Sequence, residues 1–358
     1  MPEQCFFCAK SRLAEGKRES KCIHAHGGKI GGMKKSSDRK WICVIPVTAA
    51  AGTAALVWKF FRFAVCRGGT AMPGRKKPDS ETDEKKIWGK YWPEHTEHKE
   101  WLVSRDMDTV SVMSEDGLKL FGRYFACEKP ERIVLCVHGY RGAPLDMFAD
   151  SSRWFHENNC DLLLIESRSS GRSEGKYITF GAKEKRDIVS WCRWIEERNE
   201  GRLPVYLYGI SMGAAAVLLS CDQGLPSSVK GIIADCGFSS VRKTFEDRAR
   251  ESFHLPPYPM LYLMEAYCRV LADFRFEDAD AVKALEHNTI PVLFFHGEED
   301  HFVRPENTLR NFEADAGEKE LVVVPGAAHA ASVIQNPRLY TENVRRFFER
   351  CEEKKNGE

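Results

Sequence analysis

The stretch Val205-Tyr-Leu-Tyr-Gly-Ile-Ser-Met-Gly-Ala-Ala-Ala-Val-Leu218 decides the fold of this chain and carries a candidate catalytic serine. Its first four residues form a short apolar run typical of a buried strand, and the small residues after Gly213 favour a helix. Glycines on both sides of Ser211 let the backbone make a tight strand-to-helix turn, so that the serine oxygen projects outward. The N-terminus of the helix favours negative charge beside that oxygen. The pattern predicts that Ser211 is a nucleophile.

Outside this stretch, the chain from about residue 105 alternates short apolar runs with amphipathic segments. The predicted strands are Thr109–Met113, Lys119–Ala126, Ile133–Val137, Leu162–Ile165, Val205–Tyr208, Gly231–Ala234, Pro291–Phe295 and Leu321–Val324. The predicted helices are Leu145–Glu157, Ala182–Arg198, Met212–Ser220, Arg304–Phe312 and Pro337–Arg350. The first two strands flank Glu115-Asp116-Gly117 like an antiparallel hairpin, whereas the others suit a buried parallel sheet. The sequence therefore predicts an α/β domain over residues 105–352, with a mostly parallel, doubly wound sheet.

Two later strands are each followed by a residue that can complete a catalytic triad with Ser211. Asp300 follows the strand Pro291–Phe295, where an acid would fix the tautomer of an imidazole and stabilise the imidazolium. His329 follows the last strand, and the order serine, acid, histidine is the one expected for this strand–turn–helix context. Three other carboxylates are alternative acids: Glu298, Glu299 and Asp235.

A nucleophilic serine also needs two backbone N–H groups aimed at the oxygen that becomes negative during the reaction. Met212, directly after the serine, is expected to supply one of them. The second is expected from Tyr140, in the loop Cys136–Gly142 after the third strand. His138 precedes the nucleophile in the chain, and we interpret it as a structural histidine of that loop.

The longest gap between predicted strands, residues 238–288, indicates a small helical cap over the strand ends. It contains the proline cluster Pro256-Pro257-Tyr258-Pro259. Tyr258 and Tyr262 are candidate substrate-binding residues, with Phe253, Leu255 and Tyr267 as further pocket candidates. The alternative is that these side chains only pack the cap onto the core.

The first 40 residues are basic and lack periodicity, which is typical of a disordered tail. Met33 precedes Lys34-Lys35 and an apolar run, so we expect that Met33 is the true start and that residues 1–32 are translated upstream sequence. Five possible zinc ligands in the tail have a spacing only loosely like known zinc modules, and no metal is predicted: Cys5, Cys8, Cys22, His24 and His26.

Residues 41–66 are predicted to anchor the protein in the cell membrane as a single transmembrane helix. The run Trp41–Trp58 is uncharged and near the lower length limit for a membrane span, with tryptophans at both ends. A signal peptide and a buried core helix are the alternatives. Basic residues flank both ends, so the side of the membrane is not predicted. Residues 67–104 are predicted to form a linker and a lead-in helix.

The composition narrows the possible partners. Lys and Arg number 53 and Asp and Glu 52, which gives no sign of a nucleic-acid partner. The 13 cysteines lack a regular spacing and are expected to be buried small hydrophobes and not a disulfide framework.

With these motifs the chain resembles the α/β-hydrolase superfamily over about residues 105–350. The matching stretches are His138-Gly139-Tyr140, Gly209-Ile210-Ser211-Met212-Gly213, His296-Gly-Glu-Glu-Asp-His-Phe-Val303 and His329. Glu166–Gly175 is similar to the D-x-R-G-H-G-x-S stretch of that superfamily but departs from it at Glu166 and Ser170, and no catalytic role is assigned to it. Ile233–Phe238 and the cap are similar to membrane-anchored bacterial hydrolases near the serine-aminopeptidase-like and dienelactone-hydrolase-like branches.

The resemblance implies an α/β-hydrolase fold and hydrolytic chemistry, without naming a substrate. The expected reaction is cleavage of a carboxylic ester in a small acyl substrate, through an acyl-enzyme and with no cofactor. A peptidase or amidase, or a thioesterase, is the enzymatic alternative. A membrane-tethered binding module without catalytic activity is the alternative from a different class.

Overall fold

One eight-stranded sheet organises the structure, a computed structural model that describes residues 52–69, 89–251 and 253–353. The strands are β1 (Asp108–Met113), β2 (Lys119–Phe125), β3 (Arg132–Val137), β4 (Cys160–Glu166), β5 (Val205–Ile210), β6 (Val229–Asp235), β7 (Val292–Gly297) and β8 (Lys319–Val324). Their spatial order is β1-β2-β4-β3-β5-β6-β7-β8. The β1–β2 and β2–β4 pairs are antiparallel and all other pairs are parallel. This confirms the predicted mostly parallel sheet with an N-terminal antiparallel hairpin.

The central strands are buried because helices cover both faces of the sheet. Along β3, Ile133, Leu135 and Val137 belong to one hydrophobic cluster, whereas Val134 and Cys136 belong to another. Successive side chains of a strand point to opposite faces, so the two clusters mark the two covered faces. The helices are α1 (residues 52–64), α2 (Trp92–Val103), α3 (Pro144–Met147), α4 (Ala149–Glu157), α5 (Glu184–Asn199), α6 (Met212–Leu219), α7 (Val241–Glu251), α8 (Met260–Tyr267), α9 (Ala281–Leu285), α10 (Glu306–Ala314), α11 (Ser332–Gln335) and α12 (Pro337–Glu353).

A helical cap lies between β6 and β7, in the gap where the sequence predicts one. It consists of α7 and α8, a π-turn at Cys268–Ala272, a 3-10 turn at Phe276–Ala279, and α9. Leu261 and Met264 of α8 are buried in the same cluster as α5 and α6. The cap is therefore joined to the core through α8, and the same two side chains also border the cavity described below.

The first described helix, α1, is part of the same hydrophobic core. Val57 and Phe61 are 1% exposed, and their spacing of four residues places them on one face of the helix, while Val65, directly after the helix, is fully buried. After the helix, Ile178 N–H donates to Val65 O at 2.7 Å, and Cys66 forms a β-bridge with Tyr177. The prediction that residues 52–66 belong to a transmembrane anchor is therefore corrected, because this stretch packs on the core of the domain.

Among residues 52–69, 89–251 and 253–353, no helix is both long and apolar enough to cross a membrane. Residues 41–51 of the predicted anchor lie outside the described residues. So do the predicted tail at residues 1–40 with its zinc candidates, the expected start at Met33, and residues 70–88 of the linker. The nine cysteines within the described residues are all free thiols.

The second helix, α2, lies in the stretch predicted to hold a lead-in helix and is fixed to the core by a buried charge cluster. His95 is fully buried, with Nδ1 2.9 Å from Asp150 Oδ2 and Nε2 3.4 Å from Asp146 Oδ1. Burial alone would lower the pKa of His95. Hydrogen bonds and charge from the two carboxylates outweigh it and raise that pKa to about 9. His95 is therefore a cation at neutral pH that ties α2 to α3 and α4.

Candidate active site

Ser211 lies at the turn between β5 and α6, where the sequence predicts it. Its backbone has φ 58° and ψ −118°, a conformation that residues with a side chain rarely adopt. Two glycines make the turn possible. A Cβ on Gly213 would lie 1.8 Å from Val137 O, and a Cβ on Gly209 would lie 2.4 Å from Gly213 O. The turn therefore requires glycine at both positions, and it lifts the serine oxygen out of the sheet.

The structure brings the three residues of the predicted triad into one hydrogen-bonded chain. Ser211 Oγ lies 2.9 Å from His329 Nε2, and His329 Nδ1 lies 2.6 Å from Asp300 Oδ2. Because an ionised carboxylate can only accept, His329 carries its proton on Nδ1, and Nε2 is left to accept from the serine hydroxyl. This is the arrangement in which an imidazole can act as a general base toward Ser211.

Asp300 is held in its ionised form. Phe302 N–H and Val303 N–H donate to its Oδ1 at 2.8 and 2.9 Å. Burial raises the pKa of the carboxyl, but hydrogen bonds from His296 and His329 outweigh that effect and hold the pKa well below its usual range. The acid is thus a fixed negative charge that can orient His329 throughout the physiological pH range.

A second histidine, His296, supports this acid and is not singled out by the sequence motifs as a site residue. It is 1% exposed, its Nε2–H donates to Val303 O at 2.7 Å, and Nε2 lies 3.3 Å from Asp300 Oδ2. The Thr308 hydroxyl donates to Nδ1 at 2.6 Å, which fixes the tautomer. The sequence signal for it is its place near the end of β7, four residues before Asp300.

The alternative acids occupy other environments. Asp235 is fully buried and accepts a hydrogen bond from the Ser332 hydroxyl at 2.9 Å. Burial raises the pKa of Asp235 to about 6, and it makes no hydrogen bond to His329 among the described contacts. Glu298 and Glu299 are exposed, and Glu298 accepts from the Gly326 N–H. The geometry favours Asp300 as the partner of His329.

Met212 and Tyr140, whose backbone N–H groups are the predicted oxyanion donors, line the same cavity as Ser211. Met212 is the first residue of α6, and first-turn N–H groups have no acceptor inside their helix. Gly139 O accepts from Gly142 N–H at 3.1 Å and from His138 Nδ1 at 2.8 Å, which fixes the peptide that carries the Tyr140 N–H. A Cβ on Gly139 would lie 3.2 Å from Ser211 Cβ, so this peptide borders the nucleophile.

His138 is a structural histidine of that loop. It is 1% exposed, and its Nε2 accepts from the Ser167 N–H at 3.1 Å, which leaves the proton on Nδ1 for Gly139 O. Burial lowers its pKa, so the ring is neutral and both nitrogens are used. Its hydrogen bonds hold the loop and leave it no free position for proton transfer.

A large apolar cavity opens beside Ser211. It encloses about 620 Å³, within the range typical of small-molecule sites. Its walls come from three parts of the chain: α1, the loops around the serine, and the cap. The lining residues are mostly aliphatic or aromatic, and they include Phe60, Phe63, Tyr140, Phe180, Met212, Phe245, Phe253, Leu255, Met260 and Met264.

The cap tyrosines assigned to substrate binding do not line this cavity. Tyr258 is 40% exposed and its hydroxyl donates to Glu246 Oε1 at 2.7 Å, and Tyr262 is 63% exposed. Their rings contact each other, with centroids 5.0 Å apart. This corrects the expectation: the polar hydroxyls turn toward solvent and Glu246, while the apolar Phe253 and Leu255 of the same cap face the cavity.

Three potential metal ligands meet at this site, because atoms of Cys236, Asp300 and His329 lie within 4.8 Å of one another. Asp300 Oδ2 and His329 Nδ1 are hydrogen-bonded to each other at 2.6 Å, and Cys236 is fully buried beside them. The acid and the imidazole are therefore engaged with each other, and we do not interpret this group as a metal site.

A family model and several curated proteins match this chain. The model of the alpha/beta hydrolase family matches residues 134–342, more than half of the chain. The protein YqkD of Bacillus subtilis (strain 168) is 25% identical over 265 residues, which cover 68% of this chain and 87% of YqkD. YfhR of Escherichia coli (strain K12) is 20% identical over 228 residues, covering 62% of this chain and 73% of YfhR.

Solved structures with the same fold include three enzymes. An esterase of Pyrococcus furiosus gives a TM-score of 0.57 at 20% identity, covering 69% of this chain and 94% of the esterase. Est1E of Butyrivibrio proteoclasticus, solved with ferulic acid, gives 0.51 at 18% identity, covering 67% and 98%. The proline iminopeptidase of Mycobacterium smegmatis gives 0.51 at 15% identity, covering 68% and 98%. At these identities the likenesses show the fold alone.

Proposed function

Since the chain belongs to the alpha/beta hydrolase family, we propose that it is a serine hydrolase that cleaves a carboxylic ester. The observation that carries the proposal is the hydrogen-bonded chain from Ser211 through His329 to Asp300, which stands at the wall of an apolar cavity. Nucleophilic catalysis by a serine needs an imidazole placed to take the hydroxyl proton and an acid that orients this imidazole, and the contacts of Ser211, His329 and Asp300 support these roles.

In the proposed acylation step, Ser211 Oγ attacks the substrate carbonyl while His329 Nε2 takes its proton. Asp300 stays ionised, holds the Nδ1–H tautomer and stabilises the imidazolium. The carbonyl oxygen becomes negative and accepts from the N–H groups of Tyr140 and Met212. Collapse of the tetrahedral intermediate expels the alcohol, which receives the proton from His329, and leaves an acyl group on Ser211.

Deacylation repeats these roles with water as the nucleophile. His329 takes a proton from the water, the acyl carbonyl oxygen again accepts from Tyr140 N–H and Met212 N–H, and Ser211 leaves with the proton returned by His329. The products are the carboxylic acid and regenerated enzyme.

The cavity favours an ester over an aminopeptidase substrate. An aminopeptidase must bind a protonated amine, and a buried ammonium needs a carboxylate partner. In the described lining there is no Asp or Glu, and the one charged side chain there is Arg248, which would repel an amine. Arg248 itself is paired with Glu251 at 2.9 Å.

The test compares ester and anilide hydrolysis in the full-length protein and in Ser211→Ala. We expect hydrolysis of nitrophenyl esters to exceed that of aminoacyl-anilides, and Ser211→Ala to lose at least about a thousandfold in kcat. Ser104→Ala, which removes an exposed hydroxyl at the end of α2, is the matched control and should keep full activity. A preference for anilides would support the amidase alternative, and an inactive wild-type protein that binds acyl ligands would support the binding module.

We also propose that the N-terminal segment attaches the protein to the cell membrane. The support is the uncharged run Trp41–Trp58, in which Leu56, directly before the buried Val57, is 38% exposed. Burial of Val57 in the core requires that any lipid-facing part end before that residue. Full-length protein should sediment with membranes, whereas protein lacking residues 1–48 should not. Full-length protein recovered in the supernatant would contradict this attachment.

A further inference from the structure

We propose that the substrate carries a long aliphatic acyl chain and that α1 forms the cavity wall that selects its length. This inference rests on the proposed function, because it places the acyl group of the Ser211 ester in the cavity. It assigns α1 a part in substrate binding that is separate from any attachment to a membrane.

The size of the cavity is the first support. Its volume of about 620 Å³ lies within the range of about 300–1,000 Å³ that is typical of sites for drug-sized ligands. An acyl chain of roughly 12 to 16 carbons with its ester group is a ligand of that size class. An acetyl or butyryl group would leave most of this apolar space to water. Little apolar surface would then be removed from water, and the gain in binding free energy would be small.

The lining of the cavity is the second support. Val57, Phe60 and Ala64 lie on α1 at spacings of three and four residues, so they share one face, and Phe63 lies beside them. The facing wall is the cap, and the rings of Phe60 and Phe253 meet across the join with centroids 4.8 Å apart. The cavity is thus bounded by α1 on one side and by the cap on the other, with Ser211 in its wall.

The attachment of α1 to the catalytic loop is the third support. The hydroxyl of Tyr140 donates to Ala64 O at 2.9 Å, and the guanidinium of Arg141 donates to Phe63 O and Cys66 O. Phe63 O and Ala64 O belong to the last turn of the helix, where carbonyls lack partners within the helix and where a cation is favourable, and Cys66 O lies just after the helix. Tyr140 therefore joins α1 through its side chain to the loop whose backbone N–H faces the oxyanion. The position of α1 is therefore fixed relative to the reacting carbon, which is required if α1 is to limit the length of the acyl chain that fits.

The expected consequence is a steep dependence of kcat/KM on acyl length. Burial of each methylene is worth ~0.8 kcal/mol, equivalent to about a fourfold rise in kcat/KM per carbon while the cavity still has room. The rise should stop once the chain reaches the end of the cavity.

The experiment measures kcat/KM of the full-length protein on nitrophenyl esters from acetate to hexadecanoate, each below its critical micelle concentration, with a cinnamate ester included. We expect an optimum at roughly C12 to C16, at least a hundredfold above acetate. An optimum at C2 to C4, a flat profile, or a cinnamate rate above that of dodecanoate would overturn the inference. Those results would leave the proposed function intact, because they still require ester hydrolysis, whereas absence of hydrolysis at every length would end the proposed function itself.

Two phenylalanine substitutions on α1 test the wall directly. Ala64→Phe fills the cavity, and the dodecanoate-to-acetate ratio of kcat/KM should fall at least tenfold, with the optimum moved to shorter chains. Ala55→Phe introduces the same side chain on the exposed side of α1 and should leave that ratio unchanged. Covalent labelling of Ser211 by a small fluorophosphonate shows whether Ala64→Phe has folded. A labelled Ala64→Phe variant with the wild-type chain-length profile would overturn the assignment of α1 as the selecting wall.

Discussion

The substitution Asp300→Asn tests whether Asp300, and not one of the alternative carboxylates, is the catalytic acid. The contacts of Asp300 indicate how large the loss in kcat should be. The oxygen at the Oδ1 position must stay an oxygen, because it accepts from the N–H groups of Phe302 and Val303 at 2.8 and 2.9 Å. The new NH₂ group then occupies the Oδ2 position, 2.6 Å from His329 Nδ1 and 3.3 Å from His296 Nε2. Two donors would face each other at His329.

The imidazole can relieve this conflict by moving its proton to Nε2. Nε2–H then points at Ser211 Oγ and can no longer accept the serine proton, so the base is lost while the fold is kept. The expected loss in kcat is about 10⁴-fold, equivalent to about 5 kcal/mol of transition-state stabilisation.

The assay is kcat/KM for a nitrophenyl ester in the wild type and in three variants, with thermal unfolding as the check on folding. Glu299→Gln removes an exposed neighbouring carboxylate and should stay within about twofold of the wild type. Asp235→Asn should stay within about tenfold, since Asp235 is bonded to Ser332 and not to His329. Asp300 is not the catalytic acid if Asp300→Asn keeps more than a tenth of wild-type activity, or if Asp235→Asn falls as far as Asp300→Asn.

Three further predictions concern the fold that carries the site. The folded pKa of His95 is raised to about 9 from 6.5, so its stabilising effect is complete below about pH 6.5 and is lost as pH rises through 9. In denaturant unfolding of the wild type, the free energy of unfolding should fall by roughly 3 kcal/mol as pH rises through this range. His95→Gln should lack this dependence on pH. Gly213→Ala should cost about 4 kcal/mol or more, measured by thermal unfolding, because its Cβ meets backbone at 1.8 Å. Gly52→Ala, where a Cβ meets nothing within 4 Å, is the matched control. Deleting residues 1–69 removes α1, which is a core helix and a cavity wall, and should abolish ester hydrolysis. Deleting residues 1–48 keeps α1 and should preserve ester hydrolysis. Equal activity of the two truncated proteins would contradict the packing of α1.

The sheet and the position of Ser211 could be predicted because their signals are local. Short apolar runs mark buried parallel strands, and a serine between two glycines at a strand-to-helix junction is typical of an exposed nucleophile. Asp300 and His329 follow from the same logic, since each comes after its own strand, and carboxyl ends of parallel strands meet at one edge of a sheet.

The role of α1 could not be predicted from the same patterns. One of its faces, with Phe61, is buried in the core, and an adjacent face, with Phe60 and Ala64, lines a cavity. A helix with apolar residues on several faces has the composition of a membrane segment, because hydropathy does not distinguish lipid from a core or a ligand cavity.

Two other features depend on tertiary contacts that leave no local pattern. His296 supports Asp300 only because Val303 and Thr308 are folded against it. In the cap, composition indicated aromatic candidates but not which of them face inward. The half-buried Glu246 accepts a hydrogen bond from the Tyr258 hydroxyl, and this ring does not line the cavity.

The role of Ser211 is tested most directly by finding where a covalent inhibitor binds. The full-length protein is treated with a fluorophosphonate, weighed intact by mass spectrometry, and digested to map the modified peptide. We expect one phosphonyl group per chain, on Ser211, with loss of ester hydrolysis in proportion to labelling and no labelling of Ser211→Ala. A modification on another residue, or an unmodified Ser211 in a protein that hydrolyses esters, would contradict the claim that Ser211 is the nucleophile.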